Sequence, residues 1–523
     1  MLRSKVLAAA LAIPTLACGI GVSLPAAAKV IKLEITSKHD YGSFRPGEFV
    51  LWEGRIVGEL APTEAIPDLD KAARNTRGLV EYAAKISLII PADAKKGNGV
   101  LLVDIPNRGR PYAQALYNSP RDEPFEAGTF EVGTGFLQDR GFAVAAVHWE
   151  LGQGAELPSF TDNAGQKRFV EGVGFAIVRD AADFLTRATA DNTGTPNPLR
   201  GAIKRTLAAG KSQSGRYLKT FLVNGFNMIE GRRVFDGMHV FVSGAGMLPI
   251  MQSGTGPQSS ATGAPTFANP EFRGVNEDLL TIGDIIKRVQ GRGENPPRMI
   301  MINTTTDYFS LRASLSRTGA SGTAEQPVPS PVRVYDIAGA SHVVLTRADC
   351  DLPPAKLDWS PISRATLLHL DAWAAKGIAP PANRFMPLEE SNNEPSVLPA
   401  ALHLPNAVIL IPKRDEDGNS IGGVRLPDIQ APLGVHARQN PPLSFLCALA
   451  GAYVAFPRTQ ADAVAPPNGL RPVMDRFKTR NAYVDRIRAA ARDLSGQGFL
   501  LPEDAAIIVH SAAENRLWHA SVP

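Results

Sequence analysis

The chain has 523 residues, a hydrophobic share of 44% and a formal net charge of +4. A chain of this length and composition can bury a large core, and its length alone would allow two or three domains. The net charge is too close to neutral to favour a nucleic acid or an anionic lipid surface as a partner. The sequence therefore gives no reason to expect nucleic-acid binding.

The first 28 residues have the pattern of an export signal. Arg3 and Lys5 supply the positive start, an apolar stretch follows, and Ala26–Ala28 supply the small residues of a cleavage site. Cleavage there would remove two positive charges and lower the net charge from +4 to +2. No second long apolar run follows, so we expect a periplasmic or secreted protein without a membrane-spanning helix. A lipid anchor on Cys18 is the minor alternative.

Two cysteines, Cys350 and Cys447, remain after removal of the signal. Two thiols at this separation are too few for a metal site, and no metal or other cofactor is expected. In an exported protein they can form a disulfide, with two buried free thiols as the alternative. The sequence leaves both alternatives open.

The predicted elements begin with an N-terminal β extension over residues 29–99. Further along the chain, strands alternate with helices, which favours the α/β class with a mainly parallel sheet and helices on both faces. The predicted strands are Val30–Thr36, Phe49–Glu59, Val80–Ile90, Val100–Ile105, Phe142–Val147, Leu207–Ala209, Gly237–Val242, Arg298–Asn303 and Val332–Ile337. The predicted helices of this part are Thr129–Arg140, Glu171–Arg187 and Glu277–Gln290.

The segment 206–225 has the pattern of a strand, a sharp turn and a helix. The chain turns at Gly210, and Leu218, Phe221 and Leu222 then recur at helical spacing. A serine in such a turn is the context of a nucleophile elbow. The strained turn of an elbow presses together the residues two before and two after the nucleophile, so both must be small.

Two serines of this turn compete for the nucleophilic role. Ser212 has Gly210 and Ser214 at the flanking positions, and both are small. Ser214 would have Arg216 at one of them, and an arginine does not fit there. The spacing therefore predicts Ser212 as the nucleophile.

Three loops that follow predicted strands carry Ser212, Asp307 and His342, in this order along the chain. Functional groups of parallel sheets lie on such loops, and the order Ser, Asp, His is that of an α/β-hydrolase triad. Histidine can remove the serine proton near neutral pH, and a carboxylate holds the imidazole in the required tautomer. The three residues are therefore the candidate catalytic triad.

Two backbone N–H groups are needed to stabilise the oxyanion that forms during acyl transfer. One would come from Gln213, directly after the nucleophile, and the other from the loop Asn107-Arg108-Gly109 that follows an earlier strand. Arg108 and Gly109 are accordingly the second candidates for the oxyanion hole.

Each of these residues has a structural alternative. Asp307 could be a helix N-cap or a surface acid, and His342 could be an ordinary loop histidine. His148, His239 and His369 compete for the role of the base. His148 precedes the elbow, which is the wrong chain order, while His239 falls in an apolar strand and His369 within a helix, where packing or surface roles are commoner.

Four motifs together resemble the alpha/beta hydrolase domain family of large bacterial proteins: NRG at 107–109, GKSQSGR at 210–216, NTTTDY at 303–308 and IAGASH at 337–342. The likeness extends to DLDKAARN at 68–75, CDLPPAKLDW at 350–359, GVRLP at 423–427 and FLLPED at 499–504, and so covers nearly the whole mature chain. The resemblance implies a secreted or periplasmic serine hydrolase acting on carboxylic esters. Family members often carry Glu where this chain has Asp307, and Ser243–Gly246 departs from the common family segment, so the resemblance does not name the substrate.

We expect residues 29–523 to form a single α/β-hydrolase domain, with the β extension (29–99), a catalytic core (100–378) and a C-terminal segment (379–523) packed on the core. Residues 253–265 are rich in Gly and Ser. They belong to the segment 247–275, which is predicted to form part of a mobile cover over the pocket. In the C-terminal segment, 407–412 and 420–426 are predicted to form a hairpin, and 481–494 a helix.

The predicted function is hydrolysis of a small-molecule or polymer-derived ester through an acyl-serine intermediate. The same machinery would suit a lactone, thioester or amide, and a non-catalytic binding protein on a hydrolase scaffold is the alternative from another class. The sequence does not specify the oligomeric state.

Overall fold

The computed structural model describes residues 29–121, 123–251, 278–345, 349–391, 408, 410–440, 445–462 and 470–518. The predicted export signal and the Gly/Ser-rich loop at 253–265 lie outside these ranges. Among the described residues, no helix combines the length and the apolar character needed to cross a membrane.

The strands occur mainly in the first two thirds of the chain. They are β1 (Val30–Phe44), β2 (Gly47–Leu60), β3 (Val80–Pro91), β4 (Val100–Asp104), β5 (Ala143–Val147), β6 (Ala155–Glu156), β7 (Ser159–Thr161), β8 (Lys167–Phe169), β9 (Arg205–Lys211), β10 (Met228–Ile229), β11 (Arg232–Arg233), β12 (Gly237–Phe241), β13 (Arg298–Thr304), β14 (Val332–Ile337), β15 (Leu388–Glu390), β16 (Leu410–Pro412), β17 (Gly434–Arg438) and β18 (Ala452–Ala455).

The helices connect the strands and make up much of the C-terminal part. They are α1 (Phe136–Asp139), α2 (Val173–Arg187), α3 (Gln213–Val223), α4 (Ile282–Gly291), α5 (Thr305–Ser310), α6 (Leu315–Thr318), α7 (Ser360–Lys376), α8 (Pro427–Gln430), α9 (Phe445–Ala450), α10 (Val473–Phe477), α11 (Arg480–Gly496) and α12 (Pro502–Ala513). A π-helical turn also spans Gln114–Asn118.

One large sheet organises the molecule, with the strand order β1-β2-β3-β5-β4-β9-β12-β13-β14. The strands from β5 to β14 in this order pair in parallel, so their carboxyl ends lie at one edge. β1, β2 and β3 pair antiparallel with one another, and β3 pairs antiparallel with β5. The predicted N-terminal β extension therefore continues the same sheet.

Apolar side chains fill both faces of this sheet. Along β9, Ala208 belongs to one buried cluster while Leu207 and Ala209 belong to the other, as the alternation of side chains along a strand requires. Helices α2, α3 and α4 contribute to the first cluster, and α7, α11 and α12 to the second. The prediction of a mainly parallel sheet with helices on both faces is thus confirmed.

The predicted helix over 129–140 is wrong for most of its length, because only Phe136–Asp139 is helical. Gly133 and Gly135 have φ values of +54° and +66°, a left-handed conformation that a right-handed helix does not contain. The glycines that interrupt this segment were the available signal.

The predicted hairpin between 407–412 and 420–426 forms only next to its turn, where Arg414 and Ser420 make an antiparallel bridge. β16 pairs instead with β15, which comes earlier in the chain, and Val424 forms a parallel bridge with Ile337 at the end of β14. A Cβ atom on Gly423 would lie 2.4 Å from the backbone oxygen of Asp336, so this segment approaches the sheet too closely for a larger residue. Beyond this bridge, tertiary contact with the sheet replaces the local pairing.

Candidate active site

Ser212 lies in the turn between β9 and α3 and has a left-handed backbone conformation. Its φ and ψ values are 59° and −114°, which no β-strand or α-helix contains. Such a conformation costs about 1–3 kcal/mol and persists only where the surroundings enforce it. The Ser212 N–H donates to the carbonyl of Phe241 at 2.9 Å, which fixes the turn to the end of the neighbouring strand β12.

The close approach within this turn explains its small residues. A Cβ atom on Gly210 would lie 2.4 Å from the backbone oxygen of Ser214, and one on Gly215 would lie 2.9 Å from that of Phe241. The sequence argument required a small residue at Gly210 for this reason. It missed Gly215, which the same motif also contains.

The two candidate serines differ in their surroundings. Ser214 is fully buried, and its hydroxyl donates to the carbonyl of Pro106 at 2.9 Å. Ser212 is only half-buried. A nucleophile must reach its substrate, so these surroundings favour Ser212.

Asp307 is neither the helix N-cap nor a surface acid, the structural alternatives that the sequence left open, because Thr304 is the N-cap of α5 and Asp307 is fully buried. It is the third residue of α5, where its Oδ2 accepts hydrogen bonds from the N–H and the hydroxyl of Thr304, both at 2.7 Å. Its other oxygen, Oδ1, lies 2.6 Å from Nδ1 of His342. The helix cap therefore holds the carboxylate rigidly while it orients the imidazole.

His342 lies in the loop after β14 and is almost completely buried. Its backbone N–H donates to the hydroxyl of Thr306 at 2.8 Å and to the carbonyl of Leu449 at 3.1 Å. Because the Asp307 carboxylate accepts a hydrogen bond from Nδ1–H, the neutral tautomer of the ring has its lone pair on Nε2. That nitrogen is the one that can accept a proton from a serine hydroxyl.

The competing histidines have other partners. His239 is fully buried in β12 between the hydroxyls of Tyr117 at 2.9 Å and Thr366 at 3.1 Å, and burial lowers its pKa to about 3. His148 contacts the carbonyl of Gln153, and His369 contacts a backbone carbonyl near the end of α11. Each of these rings has a structural role.

The candidate oxyanion loop follows β4. Asn107 and Arg110 exchange backbone hydrogen bonds at 2.9 and 3.1 Å, which makes Arg108 and Gly109 the centre of a tight turn with φ values of +50° and +72°. The Asn107 side chain donates to the carbonyl of Lys211 at 3.0 Å. The loop is thereby joined to the residue directly before Ser212.

The other candidate of the oxyanion hole, Gln213, is the first residue of α3 and is fully buried. Its side-chain amide donates to the buried carboxylate of Glu150 at 2.8 Å. N–H groups at a helix start are directed away from the helix and favour negative charge. Both candidate segments therefore lie beside Ser212, one joined to Lys211 by a hydrogen bond and the other beginning at the next residue.

Several cationic groups surround the elbow, and the sequence argument assigned no role to them. Burial lowers the pKa of Lys211 to about 8, that of Arg216 to about 9 and that of Lys219 to about 7. The Lys219 ammonium donates to the carbonyl of Gly244 at 2.8 Å, at the start of the segment after β12. Lys211 and Arg216 of the GKSQSGR motif were the sequence signal for this cluster of buried cations.

Cys350 and Cys447 form a disulfide, which decides between the two alternatives for these thiols. Cys447 belongs to α9, and the carbonyl of Leu449 on the same helix accepts hydrogen bonds from His342 and from Thr306. The bridge therefore joins the loop beyond His342 to the helix that supports it. The sequence could not show this support, because α9 lies more than a hundred residues after His342.

Solved structures that partly resemble this chain include S-formylglutathione hydrolase from Staphylococcus aureus, at 10% identity over 54% of this chain and 90% of that one, with a TM-score of 0.27. A promiscuous CE15 esterase from a marine bacterial metagenome has 13% identity over 60% and 83% of the two chains, with a TM-score of 0.28. Esterase B from Lactobacillus rhamnosis has 13% identity over 48% and 69%, with a TM-score of 0.24. These likenesses are too distant to say anything about the substrate.

No curated protein matches this sequence. The profile of the alpha/beta hydrolase domain family matches residues 59–510, which include every motif quoted above from the elbow and the three loops. The match covers most of the chain and contains the sheet from β3 onward and the segments that carry Ser212, Asp307 and His342. The chain belongs to the alpha/beta hydrolase domain family.

Proposed function

We propose that this protein is an exported serine hydrolase that cleaves carboxylic esters through an acyl-Ser212 intermediate. The observation that carries the proposal is the contact of 2.6 Å between His342 Nδ1 and Asp307 Oδ1, on loops at the same edge of the sheet as the strained Ser212 turn. A buried carboxylate and imidazole joined in this way form the acid–base part of a triad. Ser212, Asp307 and His342 are the proposed catalytic residues.

In the proposed first step, Ser212 Oγ attacks the ester carbonyl carbon while Nε2 of His342 takes the hydroxyl proton. N–H groups of Gln213 and of the Arg108-Gly109 turn would stabilise the negative charge on the carbonyl oxygen. The alcohol leaves with the proton from His342, and the acyl group stays on Ser212. A water molecule that loses its proton to His342 then releases the carboxylic acid and restores the serine.

The Asp307 carboxylate stabilises the imidazolium that forms in each half of the reaction. Thr304 donates both of its hydrogen bonds to Oδ2, which leaves Oδ1 to face the imidazolium. We further propose that residues 29–523 act as one unit in the periplasm or outside the cell. The disulfide supports export, since such bonds persist in oxidising compartments.

The proposal is tested by measuring hydrolysis of short- and long-chain aryl esters by the purified protein and two variants. Ser212→Ala should lower kcat by about 10⁴-fold or more, as expected when one member of a triad is lost. The matched control Ser214→Ala removes a fully buried hydroxyl two residues further along the chain and should retain most of the activity. Full activity of Ser212→Ala would contradict the proposal.

A further inference from the structure

Lys211 is the last residue of β9 and directly precedes Ser212. Its ammonium lies 5.1 Å from the ring centroid of Tyr112 and 5.4 Å from that of Trp359. Both aromatic residues are themselves fixed. The Tyr112 backbone N–H donates to Asp104 at 2.7 Å, and the Trp359 indole N–H donates to the carbonyl of Ser341 at 3.2 Å. We call Tyr112 and Trp359 the ring clamp.

The ring clamp positions the ammonium but supplies no negative charge. Among the described residues, no carboxylate forms an ion pair or a hydrogen bond with the Lys211 ammonium. Asp307 is the acid whose charge acts on it, and both Asp307 oxygens are already engaged with His342 and Thr304. Among the described residues, the Lys211 ammonium therefore has the charge of Asp307 nearby but no carboxylate at ion-pair or hydrogen-bond distance.

Lys211 is also partly exposed beside the proposed nucleophile. Lys211, Ser212 and Tyr112 are each half-buried, whereas Gln213 and Ser214 directly after them are fully buried. Burial lowers the pKa of Lys211 to about 8, with the Asp307 charge opposing the shift. At pH 7 roughly 90% of the lysine would still be protonated.

We propose that Lys211 binds a carboxylate of the substrate, so that the esters cleaved at Ser212 carry a second, anionic group. The inference rests on the proposed function and names the substrate class of the same site. A cation held by rings in a half-buried setting interacts with an anion more strongly than one in water, because the surroundings screen the charges less. The clamp also removes part of the entropy cost of fixing a lysine side chain.

The test compares matched esters that differ only in charge. Phenyl hemiesters of succinate, glutarate and adipate place a carboxylate on the acyl part, and 4-carboxyphenyl butyrate places one on the alcohol part. Each is paired with its carbamoyl analogue, which is neutral and nearly isosteric. In at least one pair, kcat/KM at pH 7 should be about tenfold higher for the anionic ester than for its neutral analogue, which is the effect of one charge-assisted hydrogen bond.

Two substitutions show whether Lys211 causes the preference. Lys211→Met should reduce the ratio of the two kcat/KM values about tenfold, while Lys211→Arg, which keeps the charge, should retain part of it. Lys204→Met is the matched control, because Lys204 is an exposed lysine just before the start of the same strand and should keep the wild-type ratio. Thermal unfolding of each variant shows whether it is folded.

Binding to Ser212→Ala gives a second readout that needs no turnover. Calorimetry should show tighter binding of the anionic member of the preferred pair, and Lys211→Met in the same background should remove that difference. Equal kcat/KM values for both members of every pair in an active enzyme would overturn the carboxylate site and leave the proposed function standing. Absence of ester hydrolysis together with a Lys211-dependent binding preference would overturn the proposed function and leave the carboxylate site standing.

Discussion

The backbone N–H of His342 donates a hydrogen bond of 3.1 Å to the carbonyl of Leu449, a residue of the C-terminal segment. The same carbonyl accepts a hydrogen bond of 3.0 Å from the hydroxyl of Thr306, which in turn accepts one of 2.8 Å from the His342 N–H. The proposed base, the helix that carries the proposed acid, and α9 thus meet at one point. The position of the imidazole depends on a helix far away in the sequence.

Thr306→Val tests this dependence. Valine has nearly the shape of threonine but lacks the hydroxyl. The backbone N–H of His342 would therefore lose one of its two hydrogen-bond acceptors. We expect kcat to fall about tenfold to 100-fold, because a small misplacement of a catalytic group costs rates of this order. Thr306→Ser keeps the hydroxyl and should retain most of the activity. A Thr306→Val enzyme with wild-type kcat and an unchanged melting temperature would show that the contact has no positioning role.

Removal of the disulfide should affect both stability and activity. The bridge joins residues 97 positions apart, and replacing both cysteines by alanine should lower the free energy of unfolding by about 2–5 kcal/mol. Activity should fall as well, at a temperature where the variant is still folded, because α9 carries both Cys447 and Leu449. Denaturant unfolding and steady-state kinetics measure the two effects. Intact mass after alkylation provides the check on the premise, since two alkylated thiols in unreduced protein would disprove the bridge.

Gly210→Ala tests the geometry of the elbow. The new Cβ would lie 2.4 Å from the backbone oxygen of Ser214, so the turn would have to open. We expect a loss of kcat of about 100-fold or more, by displacement of Ser212. Gly291→Ala is the control, because a Cβ at this last residue of α4 has no neighbour within 4 Å. Equal activity of the two variants would argue against a strained nucleophile turn.

Stability at acid pH should depend on His239. Burial lowers the pKa of His239 to about 3 in the folded protein, whereas an unfolded histidine has its ordinary pKa near 6.5. The unfolded chain therefore binds the proton first, and the stability present above pH 6.5 is lost as the pH falls toward 3. Between pH 7 and pH 5 this group alone should cost about 2 kcal/mol.

His239→Gln provides the corresponding measurement. Glutamine can still form hydrogen bonds near Tyr117 and Thr366 but does not titrate, so its unfolding free energy should fall less between pH 7 and pH 5 than that of the wild type. Denaturant unfolding at the two pH values gives the difference. An equal loss in both proteins would mean that His239 makes no contribution to acid denaturation.

Much of the fold and the order of the site residues could be predicted from the sequence. The strands are short, strongly apolar and separated by turn residues, so β4, β9, β12, β13 and β14 each lie within about two residues of their predicted position. The loop positions of Ser212, Asp307 and His342 then follow, because parallel strands present their carboxyl ends at one edge. Pairing of Asp307 with His342 is the contact that this argument anticipated.

The remaining features depend on contacts between distant parts of the chain. The support of His342 by Leu449 and the ring clamp around Lys211 have no local sequence pattern, since their partners are separated by about a hundred residues or more. The predicted hairpin at 407–426 forms only next to its turn for the same reason, because Val424 pairs with the end of β14 rather than with the preceding segment. Local periodicity cannot show which of two possible partners packs better.

The most direct measurement of the central claim is the site of covalent labelling. A fluorophosphonate reacts with a serine that an adjacent base activates, and peptide mapping identifies the labelled residue. The account predicts a single label on Ser212 and greatly reduced labelling of His342→Ala, with Ser214→Ala labelled like the wild type. A label on Ser214, or an active esterase that takes no label, would contradict it.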